Sequence, residues 1–117
     1  MEASALLECL PEYDIVVPPV WTLEVSNALL VAERRKRTAE TQTEHWIDLL
    51  TGLQCEVDIG LADISCREIT TLARATHLSA YDASYLALAS RLHAPLATMD
   101  VNLRRAAKDI GVAVLSR

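Results

Sequence analysis

Four short runs rich in β-branched and apolar residues, DIVV at 14–17, CEVDI at 55–59, PLATM at 95–99 and VAVL at 112–115, are spread along the chain with helical patterns between them. Apolar runs of this length bounded by turn signals read as strands, and their alternation with helices argues an α/β sandwich with a mainly parallel sheet. In such sheets functional sites gather at the carboxyl ends of strands. Asp100 stands directly after PLATM, at such an end.

The segments between the runs carry the helical period. Ala5, Leu6, Cys9 and Leu10 predict a short helix over 1–10 with Pro11 beyond it. Helices are expected over 20–37 and over 38–53, the second with Trp46, Leu49, Leu50 and Leu53 on one face. Further helices are expected over 61–76, carrying Ile64, Ile69, Leu72 and Ala73, over 80–92, and over 101–109, where Gly111 follows the helix end. With three glycines and four prolines the chain has little punctuation, which suits helices joined by short loops.

A length of 117 residues predicts one domain over 1–117 with a core of its own. Although 51% of the residues are hydrophobic, no run approaches the ~20 apolar residues of a membrane helix, and no basic leader precedes a short apolar core. The expectation is a soluble, cytoplasmic protein. A net charge of −5 argues against coating nucleic acid through bulk positive potential, though not against gripping it locally. The basic run Arg34-Arg35-Lys36-Arg37 suits a solvated helix end as well as a phosphate contact. Cys9, Cys55 and Cys66 are odd in number and set among apolar neighbours, a pattern of buried thiols rather than of disulfides or zinc ligands.

Three acids stand where a chain that only had to fold would not need them. On a wheel of ~100° per residue the helix from Val20 gathers Thr22, Ser26 and Glu33 into a polar stripe, whereas Glu24 falls opposite, beside Val20, Ala28 and Val31. Asp82 falls near Leu86 and Ala89, across its helix from Arg91 and away from Ser84. Burying a carboxylate costs on the order of several kcal/mol unless a positive or strongly hydrogen-bonding group meets it. No Lys or Arg is placed in sequence to serve all three, so Glu24, Asp82 and Asp100 are expected to converge and share a divalent cation. Hard oxygen donors without His or Cys select Mg²⁺ or Mn²⁺.

Each acid also has a plainer role open to it. Ser79 and Asp82 match the S-x-x-D capping box, Asp100 before VNLRRAAK is an ordinary N-cap, and Glu24 near a helix start favours the dipole. His45, His77 and His93 are isolated, the last two near helix C-termini. Gly-rich phosphate loops, G-x-S-x-G and paired CxxC are absent from the sequence, and aromatics make up 4%. Trp21, Trp46, Tyr81 and Tyr85 read as core or rim packing.

The run PPVWTLEVSNALLVAERRKR, followed by LSAYDASYLALASRLHAPLATMDVNLRRAAKDIGVAVL, resembles the PIN-domain ribonucleases, in particular the VapC-type toxins of bacterial toxin–antitoxin pairs. The motifs are W-x-x-E-V-x-N-A-L, A-Y-D-A-x-Y-L-x-L-A, and L-A-T-x-D followed by a helix and G-V. The resemblance spans residues 15–115. It implies a three-layer α/β/α sandwich, an acidic site holding Mg²⁺ or Mn²⁺, RNA substrates cut to leave a 3′-hydroxyl, and an antitoxin partner. Residue by residue, the motif acids fall on Glu24, Asp82 and Asp100, the acids already singled out by their placement.

One departure stands out. Chains of the family open with a strand that ends in an aspartate and lies in the middle of the sheet, whereas MEASALLECL resembles the helical region after that strand. Asp14 is no substitute, because it precedes the second strand. The expectation is therefore an N-terminally truncated PIN-like chain, either part of a longer active frame, a degenerate relative that keeps a binding role, or one completed by strand exchange in a homodimer or higher oligomer. Its expected function is metal-dependent endoribonuclease, weakened by the missing ligand; the alternative is an inactive binding or dimerisation module.

Overall fold

In the computed structural model, the residues described are 14–53, 55–58 and 65–115. The helix expected over 1–10 lies outside them. Strand β1 (Val16–Val17) leads into α1 (Trp21–Arg34), α2 (Glu40–Thr51), strand β2 (Glu56–Val57), α3 (Cys66–Thr76), α4 (Ala80–Leu92) and α5 (Val101–Asp109). The α/β class and parallel pairing expected from the alternation are both present. β1 and β2 pair in parallel, Val16 opposite Glu56 and Val17 opposite Val57. Leu96 and Val114 form a separate parallel bridge.

Among the described residues these two pairs are not joined into one continuous sheet. The ladders are also shorter than the apolar runs that contain them. Pro18 follows β1 immediately, Pro95 offers no N–H beside Leu96, and β2 is exposed at both residues, so each pair has a partner on one side only. Between the pairs lies an apolar groove of about 310 Å³, with Val16 and Val17 on one wall, Leu96 and Ala97 on the other, and Leu88 and Ala89 from α4 also lining it.

The helices begin and end where local chemistry dictates. Ser65 caps α3 by accepting from the Glu68 N–H at 3.1 Å, in an S-x-x-E sequence. That cap explains the start at Cys66; residues 61–64 of the expected helix lie outside the described residues. α1 and α2 are shorter than expected, beginning after Pro19 and Ala39. His77 and His93, expected only to favour the dipole, adopt left-handed φ of 58° and 52° as caps of α3 and α4. In both turns the next N–H reaches back across the cap, Leu78 to Ala73 O at 3.1 Å and Ala94 to Ala89 O at 3.0 Å. The basic run ends α1 in the same manner: Lys36 has φ 56°, and all four cations are exposed.

The core lies in the C-terminal half. Leu86, Ala89, Leu96, Leu103, Ala106, Ala107 and Val112 pack together, with Leu72, Leu78, Tyr85 and Val114 partly buried against them. The amphipathic period of α5 accounts for its share, since Leu103, Ala106 and Ala107 fall on one face. α1 contains no buried residue, and on α2 Leu49 is 49% exposed although its spacing placed it on an apolar face. The cysteines also depart from expectation: Cys66, at the first position of α3, is exposed and Cys55 is half-buried, both free thiols, while Cys9 lies outside the described residues. Arg91 points away from the core, as its wheel position predicts, and forms an ion pair with Asp58 just after β2. Among the described residues no helix is long and apolar enough to cross a membrane.

Gly111 has φ +82° and lets the Val112 N–H return to Ala107 O at 2.8 Å. A Cβ there would meet no atom within 4 Å, so only backbone strain opposes it. Gly111→Ala is expected to lower stability by about 1 kcal/mol, measured as a shift in the urea midpoint at unchanged slope.

Candidate active site

Each of the three acids is placed by the first turn of a different helix. Glu24 lies in the first turn of α1, Asp82 in that of α4, and Asp100 is the N-cap of α5. The plainer roles of two of them are realised. The Asp100 Oδ1 accepts from the Leu103 N–H at 2.8 Å, and the Asp100 N–H donates to Thr98 Oγ1 at 3.1 Å. Ser79 Oγ accepts from the Asp82 N–H at 3.1 Å, the first half of a capping box. Capping does not compete with a shared site here. It fixes the carboxylates at the helix ends from which they face one another.

That they face one another is visible in the electrostatics of Asp82. Its carboxyl is held above the ordinary aspartate value first by partial burial, then by the negative charges of Asp100 and Glu24, while a hydrogen bond with Ser79 works in the opposite direction. A single residue thus feels acids from α1 and from the start of α5. Glu24 itself is half-buried, as its wheel position predicts, and its Oε1 is buried with no hydrogen-bond partner. Asp100, by contrast, is exposed. None of the three forms an ion pair among the described residues.

The helix ends offset part of this repulsion. An N-terminus carries roughly half a positive charge, so three of them balance about half of three carboxylates and leave the cluster net negative. The donor set is all oxygen and hard, and an orphaned buried carboxylate oxygen is what a cation relieves. Both features fit Mg²⁺ or Mn²⁺. The fit is chemical rather than preformed: among the described residues, no three His, Cys, Asp or Glu side chains close into a metal-ligand cluster.

Tyr85 was assigned by its spacing to packing alone. Its ring does pack against the core, but its hydroxyl belongs to the acidic cluster. Burial, a hydrogen bond with Glu24, and the charges of Glu24 and Asp82 all push its pKa well above the usual tyrosine value. The signal in the sequence was its position three residues after Asp82, on the same helix face. Tyr81, also assigned to packing, is 61% exposed.

The raised Asp82 value carries a sign. A carboxyl whose folded pKa exceeds its unfolded value stabilises the fold only when protonated. That contribution is complete below the ordinary aspartate value of about 3.9 and is lost as pH rises through the raised folded value. Metal-free Asp82→Asn is therefore expected to be more stable than the parent at pH 7, with the difference shrinking toward pH 3.5. Urea unfolding at the two pH values measures it.

A family model described as PIN domain matches residues 1–109. No curated protein and no solved structure matches the chain.

Proposed function

Because the chain belongs to the PIN domain family, we propose that it is a metal-dependent endoribonuclease of the VapC toxin type, acting in the cytoplasm and paired with an antitoxin protein. PIN domains are generally nucleases and typically use divalent metal ions. The observation that carries the reading is the coupling of Asp82 to both Asp100 and Glu24, which gathers onto one patch the three acids aligned with the family motifs.

In this reading Glu24, Asp82 and Asp100 hold Mg²⁺ or Mn²⁺. The bound ion supplies an activated water and neutralises charge developing on the scissile phosphate. The chain's own residues do the rest. The caps at Ser79 and Asp100 keep two carboxylates at their helix ends, and the mutual repulsion of the acids favours whatever positive charge enters among them. No separate general base is required. Cleavage of single-stranded RNA with Mn²⁺ tests the assignment: Glu24→Gln, Asp82→Asn and Asp100→Asn are each expected to reduce the rate by on the order of 100-fold, and parental rates in the Asp82 variant would remove that residue from the mechanism.

A second reading, a PIN-like binding or dimerisation module, is favoured by the groove between the two strand pairs. The Ile15 and Val17 carbonyls both accept from β2, so the Val16 N–H and C=O point toward the groove by alternation. On the far wall Leu96 uses both its groups on the 113–115 side, leaving those of Ala97 to face inward. An extended segment from a second copy would pair with both edges, cover the apolar lining and complete a three-layer sandwich. Sedimentation at micromolar concentration is expected to show a dimer that Val16→Pro, which removes a groove-facing N–H, shifts toward monomer. A parent that sediments as a monomer throughout would refute strand exchange.

A further inference from the structure

Glu24 approaches the acidic cluster from α1 and Asp82 from α4, and the side chain of Tyr85 interacts with both. Tyr85 lies nearly one turn beyond Asp82, so the two share a face of α4. Its ring is partly buried against the cluster that includes Leu86, Ala89 and Leu96, which restricts where the hydroxyl can go. Its polar end hydrogen-bonds with Glu24, and Glu24 Oε1 remains buried without a partner. A carboxylate fixed by a donor at one side loses its freedom to rotate and offers its remaining lone pairs in a set direction.

We propose that Tyr85 is a positioning residue: its hydroxyl donates to the Glu24 carboxylate and turns it so that Oε1 faces a cation shared with Asp82 and Asp100. This rests on the metal-site reading above. Tyr85 touches neither RNA nor the cation in this arrangement. It acts through Glu24, joining two helices that each bring one acid, and its rigid ring transmits the position of α4 to a side chain on α1. Phenylalanine at the same place keeps the ring and its packing and removes only the donor.

The test is Mn²⁺ binding to the protein without RNA, followed by calorimetry, for the parent, Tyr85→Phe, Glu24→Gln and the double variant, with thermal unfolding of each metal-free protein alongside. Tyr85→Phe is expected to weaken Mn²⁺ binding by about 10-fold, the lower end of what loss of an outer-shell partner produces, while metal-free unfolding stays close to that of the parent. In the Glu24→Gln background the same substitution is expected to change affinity less than 2-fold, because the group through which Tyr85 acts is gone. Equal Mn²⁺ affinity in parent and Tyr85→Phe, with Glu24→Gln weakened, overturns the role of Tyr85 and leaves the metal site standing. A similar loss from Tyr85→Phe in both backgrounds also overturns it, since that is the mark of a purely structural effect. No Mn²⁺ binding by the parent overturns both proposals together.

Discussion

Repulsion among three carboxylates, held at the first turns of three helices, is the constraint on which this molecule's functional surface depends. Glu24, Asp82 and Asp100 come from α1, α4 and the cap of α5, and the raised pKa of Asp82 records the presence of the other two. A fold selected for stability alone gains nothing from this placement, because each acid raises the free energy of the others' charged forms. Fractional positive charge at the helix ends reduces that penalty and does not remove it. The same caps that stabilise α4 and α5 hold the acids in place, so helix stability and site geometry share the same hydrogen bonds.

The remainder of the fold serves to keep these helix ends together. The core around Leu86, Leu96, Leu103 and Ala107 binds α4 and α5 to the Leu96–Val114 bridge, and thereby sets the start of α5 against the start of α4. α1 stands differently, with no buried residue of its own and its first turn following β1 across the groove. Glu24 therefore depends for its position on weaker packing than Asp82 does. Tyr85 matters for that reason: its side chain links the well-packed side of the cluster to the less well-packed one.

How much of this was legible in the sequence follows from the range of each interaction. Helix periods, Ser and Asp caps and the bounds of α4 and α5 are local, and they read correctly from neighbouring residues. The inward placement of Glu24 was legible because a helix wheel needs only one turn of sequence on either side. Strand lengths were not: a ladder extends only as far as its partner, and the partners of β1 and of the Leu96 bridge are remote in sequence and one-sided. The exposure of Leu49 and Cys66 was hidden for a related reason, since an apolar or buried-type residue is covered only if another element reaches it. Tyr85 was half legible: its apolar ring predicted packing, while its partner on α1 is visible only once the two helices are side by side.

The central claim is that these three acids form one cation site, and its most direct measurement is paramagnetic broadening of the protein's amide NMR signals by substoichiometric Mn²⁺. The account predicts that signals from the first turns of α1 and α4 and from the start of α5 broaden first and together, while the far ends of those helices, near Arg34 and Asp109, stay sharp. Broadening centred elsewhere, or confined to one of the three helix starts, would contradict it.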